Sequence, residues 1–219
     1  MPFFSYTIQY IILYLRPKPL TMSSKAERTT QYIIETVAPI FTKHGYVGTS
    51  MSHLTEATGL TKGAIYGNFE NKEALALSAF EYNRNQLLSK FDELLSVEGG
   101  AMDKLHSLIG FYRQYDVFTI SMGGCPILSV GVDAQNNNKL LAAACNETIS
   151  ELEGKIALVL ENGVKSGEIK IPVPPLQFAK QLYTMLSGAV AMATMTRDRK
   201  YLVNTIAYLT HLVNQEIKN

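Results

Sequence analysis

The sequence predicts an all-α fold, and three observations support this prediction. From residue 25 onward, apolar residues recur at intervals of three and four, which is the spacing of one face of an α-helix. Glycines interrupt the pattern where helices would have to end, at Gly99-Gly100, Gly123-Gly124 and Gly163 with Gly167. The one extended-looking stretch, Glu168–Val173, is too short and too solitary to imply a sheet.

Three short helices are predicted at the front of the fold. The first ends near His44-Gly45 and carries one apolar stripe, which consists of Ile33, Ile34, Val37, Ile40 and Phe41. The second follows an N-cap at Thr49-Ser50 and runs to residue 58. Thr61 caps the third, which continues to about Asn68.

A bundle of five or six helices is predicted behind them. Asn71 caps the first of these, and Glu73 lies in its first turn, where an acidic side chain interacts favourably with the helix dipole. The predicted helices span residues 72–96, 101–117, 124–132, 138–165, 175–195 and 198–217. We therefore expect a tail over residues 1–21, a three-helix domain over residues 22–71 and a helical bundle over residues 72–219.

Composition and charge permit this fold without pointing to a function. The 219 residues are 47% hydrophobic and 18% charged, which supplies a large core and argues against long disorder. Residues 22–72 hold five Lys and Arg against four acids, and residues 73–219 hold thirteen against fifteen, a weak bias towards nucleic acid at the front. The two cysteines, Cys125 and Cys145, are interpreted as small buried residues in a reducing cytoplasm.

Residues 1–21 are interpreted as a tail outside the fold. The apolar run from Phe3 to Leu15 is shorter than the about 20 residues that a membrane-spanning helix needs, and Arg16-Pro17-Lys18-Pro19 follows it. A signal peptide fits poorly, because no basic residue precedes the run and no small-residue cleavage site follows it. We expect a cytoplasmic protein without membrane contact, and a short membrane anchor is the alternative.

The most informative stretch runs from Gly45 to Phe69. Two short helices joined by a glycine-containing turn have the geometry of a helix-turn-helix, which places its second helix in the major groove of DNA. Leu54, Leu60 and Ile65 would meet in the angle between these helices, with the turn formed at Gly59. A helical hairpin packed in an ordinary core has the same pattern and is the alternative.

Small and polar residues of this stretch are predicted to face DNA. They allow close approach to the base edges, and hydroxyl, amine and backbone N–H groups near the helix starts can contact phosphates. The predicted DNA-contacting residues are Thr49, Ser50, Ser52, Thr61, Lys62, Gly63, Ala64, Tyr66, Gly67, Asn68 and Lys72. Among them, Tyr66 and Lys72 are assigned to phosphates.

The same stretch resembles the DNA-binding domain of TetR-type bacterial regulators. The runs FTKHGYVGTSM (residues 41–51) and GLTKGAIYGNFENKEAL (residues 59–75) carry the resemblance. Two departures are visible. Thr55 and Thr58 replace small apolar residues, which should not disturb the fold, whereas Gly67 replaces a commonly larger residue and should alter operator preference or phosphate contacts.

The resemblance implies that the rear bundle dimerises and binds a small molecule. The last two helices are rich in apolar and small residues and are expected to form a four-helix homodimer interface, with an ordinary intramolecular core as the alternative. A dimer would also place two recognition helices about 34 Å apart on a two-fold operator. Adaptable apolar side chains with a few polar groups suit a drug-like or lipid-like effector, although any one of them can simply fill the core. The predicted pocket residues are Phe80, Arg84, Phe111, Tyr112, Tyr115, Phe118, Met122, Cys125, Met185 and Met192.

The function predicted from the sequence is therefore a regulator, most simply a repressor, that a small-molecule effector releases from double-stranded operator DNA. No cofactor or metal is expected. An enzyme is disfavoured, because the four histidines lack metal-ligand spacing and there is no phosphate-binding glycine loop or nucleophile elbow. The alternative is a helical protein-interaction module without DNA binding. Activation in place of repression stays open.

Overall fold

A computed structural model describes residues 24–219, and over this range the protein is all-helical, as predicted. Within the described residues, extended pairing is limited to an isolated antiparallel bridge between Ile169 and Lys218. The stretch that looked extended in the sequence therefore makes no sheet. The prediction that residues 1–21 form a tail lies outside the described residues.

The three front helices are α1 (Lys25–Gly48), α2 (Met51–Thr58) and α3 (Lys62–Tyr66). Helix α1 begins with a reciprocal cap: the Ser24 hydroxyl accepts from the backbone N–H of Glu27 at 3.1 Å, and the Glu27 carboxylate accepts from the backbone N–H of Ser24 at 2.8 Å. Its helical backbone is interrupted at Gly45, where φ is 71° and ψ is 175°. This break lies where the sequence predicts the first helix to end.

The bundle follows with seven further helices in the described part of the chain: α4 (Lys72–Leu95), α5 (Ala101–Phe111), α6 (Tyr115–Thr119), α7 (Pro126–Asn137), α8 (Lys139–Lys165), α9 (Pro175–Thr196) and α10 (Lys200–Leu212). Short 3₁₀ turns at Tyr112–Gln114 and Ile120–Met122 flank α6, so the helix predicted over 101–117 is divided. Helix α7 extends five residues beyond the predicted end at residue 132.

Buried apolar side chains form one continuous core that runs from the front helices into the bundle. Ile33, Val37, Leu54 and Ile65 are fully buried where α1, α2 and α3 meet. The same cluster continues along α4 and into the bundle through Leu75, Ala79, Phe80, Leu105, Leu108, Leu152, Ile156, Leu186 and Ile206. Helices α1, α4 and α7 pack against one another, so the three front helices contact the bundle through α1.

Within residues 24–219, no single helix is long and apolar enough to cross a membrane. One bent pair, Ala101–Met122 with Pro126–Asn137 at 62°, meets the length and composition of a span when its two parts are taken together.

Candidate nucleic-acid interface and effector pocket

Helices α2 and α3 form the predicted helix-turn-helix. Gly59 ends α2 in the left-handed conformation, with φ of 66°, which is where the sequence places the turn. Leu54 and Ile65 are fully buried in the angle between the two helices, and Leu60 packs against the same core. Local capping fixes both helix starts, because the Ser50 hydroxyl accepts from the N–H of His53 at 3.2 Å and the Thr61 hydroxyl accepts from the N–H of Ala64 at 3.2 Å.

The two threonines that depart from the family pattern, Thr55 and Thr58, both have hydrogen-bond partners for their hydroxyl groups. The Thr58 hydroxyl donates to the carbonyl of Leu54 at 2.7 Å, and the Thr55 hydroxyl donates to the carbonyl of Met51 at 3.0 Å. Each polar group is therefore satisfied within its own helix. In addition, the Tyr32 hydroxyl of α1 donates to the carbonyl of Thr58 at 3.0 Å and ties the end of α2 to α1.

Most of the predicted DNA-contacting residues are exposed to solvent. Ser50 and Ser52 are exposed at the start of α2. The exposed residues of α3 and its ends are Thr61, Lys62, Gly63, Ala64 and Gly67. We call these seven residues the recognition surface. The side chains on it are short except for Lys62, so the backbone of α3 could approach another molecule closely.

Three further predicted residues are half-buried and already have partners. The Asn68 side chain donates to the carbonyl of Ala64 at 2.8 Å and accepts from Thr30 at 2.9 Å. The Tyr66 hydroxyl donates to the sulfur of Met51 at 3.2 Å. Lys72 donates to the carbonyl of Tyr46 at 2.6 Å. These residues hold the edge of the recognition surface in place.

Thr49 does not belong to this surface. It has no exposed area, and its hydroxyl donates to the carbonyl of Gly45 at 2.7 Å. A side chain without exposed area cannot contact DNA directly, so Thr49 instead supports the loop that leads into α2. The sequence pattern gave it a capping position but could not show that the loop folds over it.

Five of the predicted pocket residues come together around α6. The ring centres of Phe111 and Phe118 are 5.2 Å apart, and the rings of Tyr112 and Tyr115 stack 4.9 Å apart and nearly parallel. The Tyr115 hydroxyl donates to the sulfur of Cys125 at 3.0 Å. We call these five residues the aromatic cluster.

The aromatic cluster is apolar and uncharged at neutral pH. Burial raises the pKa of Tyr112 and of Tyr115 well above 10.0, and burial also raises the pKa of the Cys125 thiol. Tyr183 of α9 is buried with its ring edge-on to that of Phe91, the ring centres 6.4 Å apart, and burial raises its pKa as well. The sequence interpretation missed Tyr183, although its spacing with Ala179, Leu186 and Val190 marks a buried stripe.

The other predicted pocket residues lie elsewhere. Phe80 and Met122 are buried in the core. The Arg84 guanidinium is 3.1 Å from Glu81, 2.7 Å from Glu151 and 3.0 Å from the hydroxyl of Thr148, so its donors join α4 to α8. Met185 and Met192 lie on α9, and Met192 is exposed.

Met185 lines an open groove of about 590 Å³ between α9 and α10. The other lining residues are Gln177, Lys180, Gln181, Thr184, Tyr208 and Leu212. The exposed large apolar side chains of these two helices are Leu176, Met192, Met195, Tyr201, Val203 and Tyr208. We call this set the α9–α10 face.

Two family models match this chain. Residues 33–79 match "Bacterial regulatory proteins, tetR family", and residues 101–209 match "Tetracyclin repressor-like, C-terminal domain". The first match covers the helix-turn-helix and the start of α4, and the second covers the bundle from α5 into α10. Together they include both the recognition surface and the α9–α10 face.

Solved structures and sequenced relatives give the same picture. A TetR-family transcriptional regulator from Cytophaga hutchinsonii is 32% identical, with a TM-score of 0.82 over 89% of this chain and 97% of that one. A TetR regulator from Chloroflexus aurantiacus is 29% identical, with a TM-score of 0.83 over 89% and 98%. The transcriptional repressor NemR of Escherichia coli is 25% identical over 84% of this chain and 94% of its own. FadR of Bacillus subtilis, solved in complex with stearoyl-CoA, shares the fold at 20% identity and a TM-score of 0.68 over 84% and 97%.

Proposed function

This chain belongs to the TetR family of bacterial transcriptional regulators, and we propose that it is a repressor that binds operator DNA as a homodimer until a small molecule releases it. The observation that carries the proposal is the recognition surface: a capped helix-turn-helix whose exposed side is formed by short residues and one lysine. We also propose that residues 22–71 form the DNA-binding domain and that residues 72–219 form the ligand-binding and dimerisation domain.

On DNA, α3 would lie in the major groove. Thr61, Ala64 and Gly67 allow its backbone to approach base edges, and the Ala64 methyl group suits contact with a thymine methyl group. Lys62 supplies the positive charge of this helix, and its ammonium lies 5.8 Å from the centre of the Tyr66 ring. Ser50 and Ser52 at the start of α2 suit contacts with phosphates beside the groove.

The α9–α10 face is proposed as the homodimer interface. Six exposed large apolar side chains lie on these two helices, and association of two copies through them would remove apolar surface from water. A two-fold contact between identical faces makes four helices meet and gives the dimer two recognition helices. This arrangement fits an operator with two half-sites.

The aromatic cluster is proposed as the effector site. Its rings and its neutral hydroxyl and thiol groups suit an apolar molecule with few charges. The FadR relative was solved with stearoyl-CoA, a ligand with a long apolar chain, which agrees with an apolar site in this fold. Arg84 would act through its contacts between α4 and α8, and Met185 and Met192 would belong to the dimer interface.

The proposal is tested by footprinting on the DNA upstream of the chain's own coding sequence, followed by affinity measurements at several salt concentrations. We expect salt-dependent binding, and we expect Lys62→Ala to reduce the salt slope by about one while light scattering shows an intact dimer. Tyr66→Ala should also weaken binding, because the Tyr66 hydroxyl contacts Met51 and helps to hold α3 against α2.

Lys165→Ala is the matched control, because Lys165 is equally exposed but lies at the far end of α8. Unchanged affinity in both the Lys62 and Tyr66 variants would overturn the assignment of α3. A chain that binds no DNA at low salt would instead support a helical protein-interaction module.

A further inference from the structure

Asp133 of α7 contacts the backbone of the segment that leads into the helix-turn-helix. One carboxylate oxygen, Oδ2, accepts from the N–H of Tyr46 at 2.6 Å and from the N–H of Val47 at 3.2 Å. The two partners are 86 and 87 residues away in sequence, so this contact joins the bundle to the front domain. A carboxylate that accepts two backbone N–H groups makes a strong, charge-assisted contact.

The backbone at this point is shaped to receive the carboxylate. Gly45 leaves the helical conformation with φ of 71°, which turns the next two N–H groups away from α1. A Cβ atom at Gly45 would lie 2.9 Å from the Asp133 carboxylate, so the absence of a side chain is needed for the approach as well as for the backbone angle. The glycine at position 45 and the backbone geometry around it are therefore both suited to binding the Asp133 carboxylate.

Lys72 of α4 also contacts the backbone of Tyr46. Its ammonium donates to the carbonyl of Tyr46 at 2.6 Å and lies 4.6 Å from the centre of the Tyr46 ring. Burial lowers the pKa of Lys72, and the charge of Asp133 acts in the opposite direction. The backbone of Tyr46 is thus held at its N–H by a bundle carboxylate and at its carbonyl by the first residue of α4.

Helix α7 also reaches towards the aromatic cluster. It begins at Pro126, next to Cys125, whose sulfur accepts from Tyr115. Before it, Gly123 lies so close to the carbonyl of Pro39 on α1 that any Cβ would collide with backbone. One rigid helix therefore has the aromatic cluster near one end and Tyr46 near the other.

We propose that Asp133 is a positioning residue for DNA binding: it fixes the orientation of the helix-turn-helix relative to the bundle. The proposal rests on the proposed function, because it assumes that the helix-turn-helix binds an operator. Two half-sites require two recognition helices at a defined separation. A domain held by Asp133 is already oriented, whereas a released domain must lose orientational freedom when it binds, which weakens binding.

The test combines backbone exchange with DNA affinity in the full-length dimer. Hydrogen exchange at the amides of Tyr46 and Val47 reports the contact itself, and affinity for the footprinted upstream duplex reports its consequence. For Asp133→Ala we expect exchange at both amides to be at least tenfold faster and binding to be about tenfold weaker, with the same dimer. Asp133→Asn keeps an oxygen acceptor and should restore most of the affinity. Asp92→Ala, which removes an exposed bundle carboxylate, is the charge-matched control.

Gly45→Ala provides a second, independent perturbation of the same contact. It should weaken binding in the wild-type background and have a smaller effect in the Asp133→Ala background, because the carboxylate that its Cβ would meet at 2.9 Å is gone. Additive effects, unchanged or tighter binding in Asp133→Ala, or unchanged amide exchange would each overturn the proposal. If the wild-type protein binds no duplex, the proposed function is wrong, and so is the role of Asp133 in DNA binding. Amide exchange at Tyr46 and Val47 still reports whether the contact with Asp133 exists.

Discussion

The ammonium of Lys72 lies 2.6 Å from the carbonyl oxygen of Tyr46 and 4.6 Å from the centre of its ring. The sequence predicts Lys72 as a phosphate contact at the start of α4. In the structure its ammonium contacts Tyr46 at the end of α1, just before the helix-turn-helix. In this position Lys72 fastens α4 to the end of α1, so its contribution to folding can be measured separately from DNA binding.

Lys72→Met should destabilise the protein. The substitution keeps an unbranched side chain but removes the donor to Tyr46 and the cation above its ring. We expect the free energy of unfolding to fall by about 1 kcal/mol in urea titrations, the usual size for a partly exposed hydrogen bond of this kind. Lys165→Met, on an exposed lysine, should leave the urea midpoint unchanged. Equal midpoints for both variants would contradict a structural role for Lys72.

Tyr208→Asp should separate the homodimer. Tyr208 is 53% exposed on the α9–α10 face, and a charge there would have to be buried unpaired between the two copies. Light scattering should show a monomer at micromolar concentration, with operator affinity reduced by more than about tenfold because one half-site alone is bound. Ile120→Asp is the control, since Ile120 is 73% exposed outside this face. A dimeric Tyr208→Asp protein would place the interface elsewhere.

Helix positions could be predicted from sequence where the signals that determine them are local. The starts at residues 72, 101 and 175 agree with the structure, because a cap at Asn71, a glycine at Gly100 and a proline at Pro175 each act on the adjacent turn. The recognition surface could be predicted for the same reason: Gly59 and Thr61 set the turn and cap without help from distant residues.

Features that depend on distant residues could not be predicted. Helix α7 continues past residue 132 to Asn137, and Asp133 in this added part accepts from the N–H of Tyr46, 87 residues away. Asn138 then caps α8 and donates to Glu73 at 2.8 Å, a partner 65 residues away. The sequence predicts Arg84 as a pocket residue from its position on α4. Only the fold shows that Arg84 forms an ion pair with Glu151 of α8.

Cys145 should react slowly with alkylating reagents in the folded protein. It is buried, and burial raises its pKa from 9.0 to about 12. At pH 8 this lowers the thiolate fraction by about a thousandfold, and the thiolate is the reactive form. Mass spectrometry after iodoacetamide treatment should show little modification in buffer and rapid modification in urea. Rapid native labelling of Cys145 would mean that the bundle opens at this position.

Arg84→Met should destabilise the protein in a pH-dependent way. Burial raises the pKa of Glu81 above 4.5, and Arg84 acts against this. Without Arg84 the folded state holds the Glu81 proton to higher pH than the unfolded state does. Stability therefore falls as pH rises above 4.5 through the raised pKa. We expect a loss of about 2 kcal/mol at pH 7 and a smaller loss near pH 4.5, measured by urea unfolding at both values. A loss that is equal at both pH values would show that Glu81 does not depend on Arg84.

Arg84 and Phe80 should also carry part of the effector response. Helix α4 begins at Lys72 beside the helix-turn-helix and is joined to α8 through Arg84, so a shift of α4 in the bundle moves both ends. A ligand releases DNA only if it binds the released conformation more tightly. Substituting Phe80 or Arg84 should therefore change effector-induced release by roughly 1–3 kcal/mol of coupling and leave ligand-free operator affinity nearly unchanged. The measurement is a thermodynamic cycle with an effector obtained from a ligand screen, and Glu93→Gln, at an exposed site on the same helix, is the control. Coupling equal to that of wild type in both variants would mean that the signal bypasses α4. The contact of Asp133 on α7 with Tyr46 would then be the next connection between the bundle and the helix-turn-helix to test.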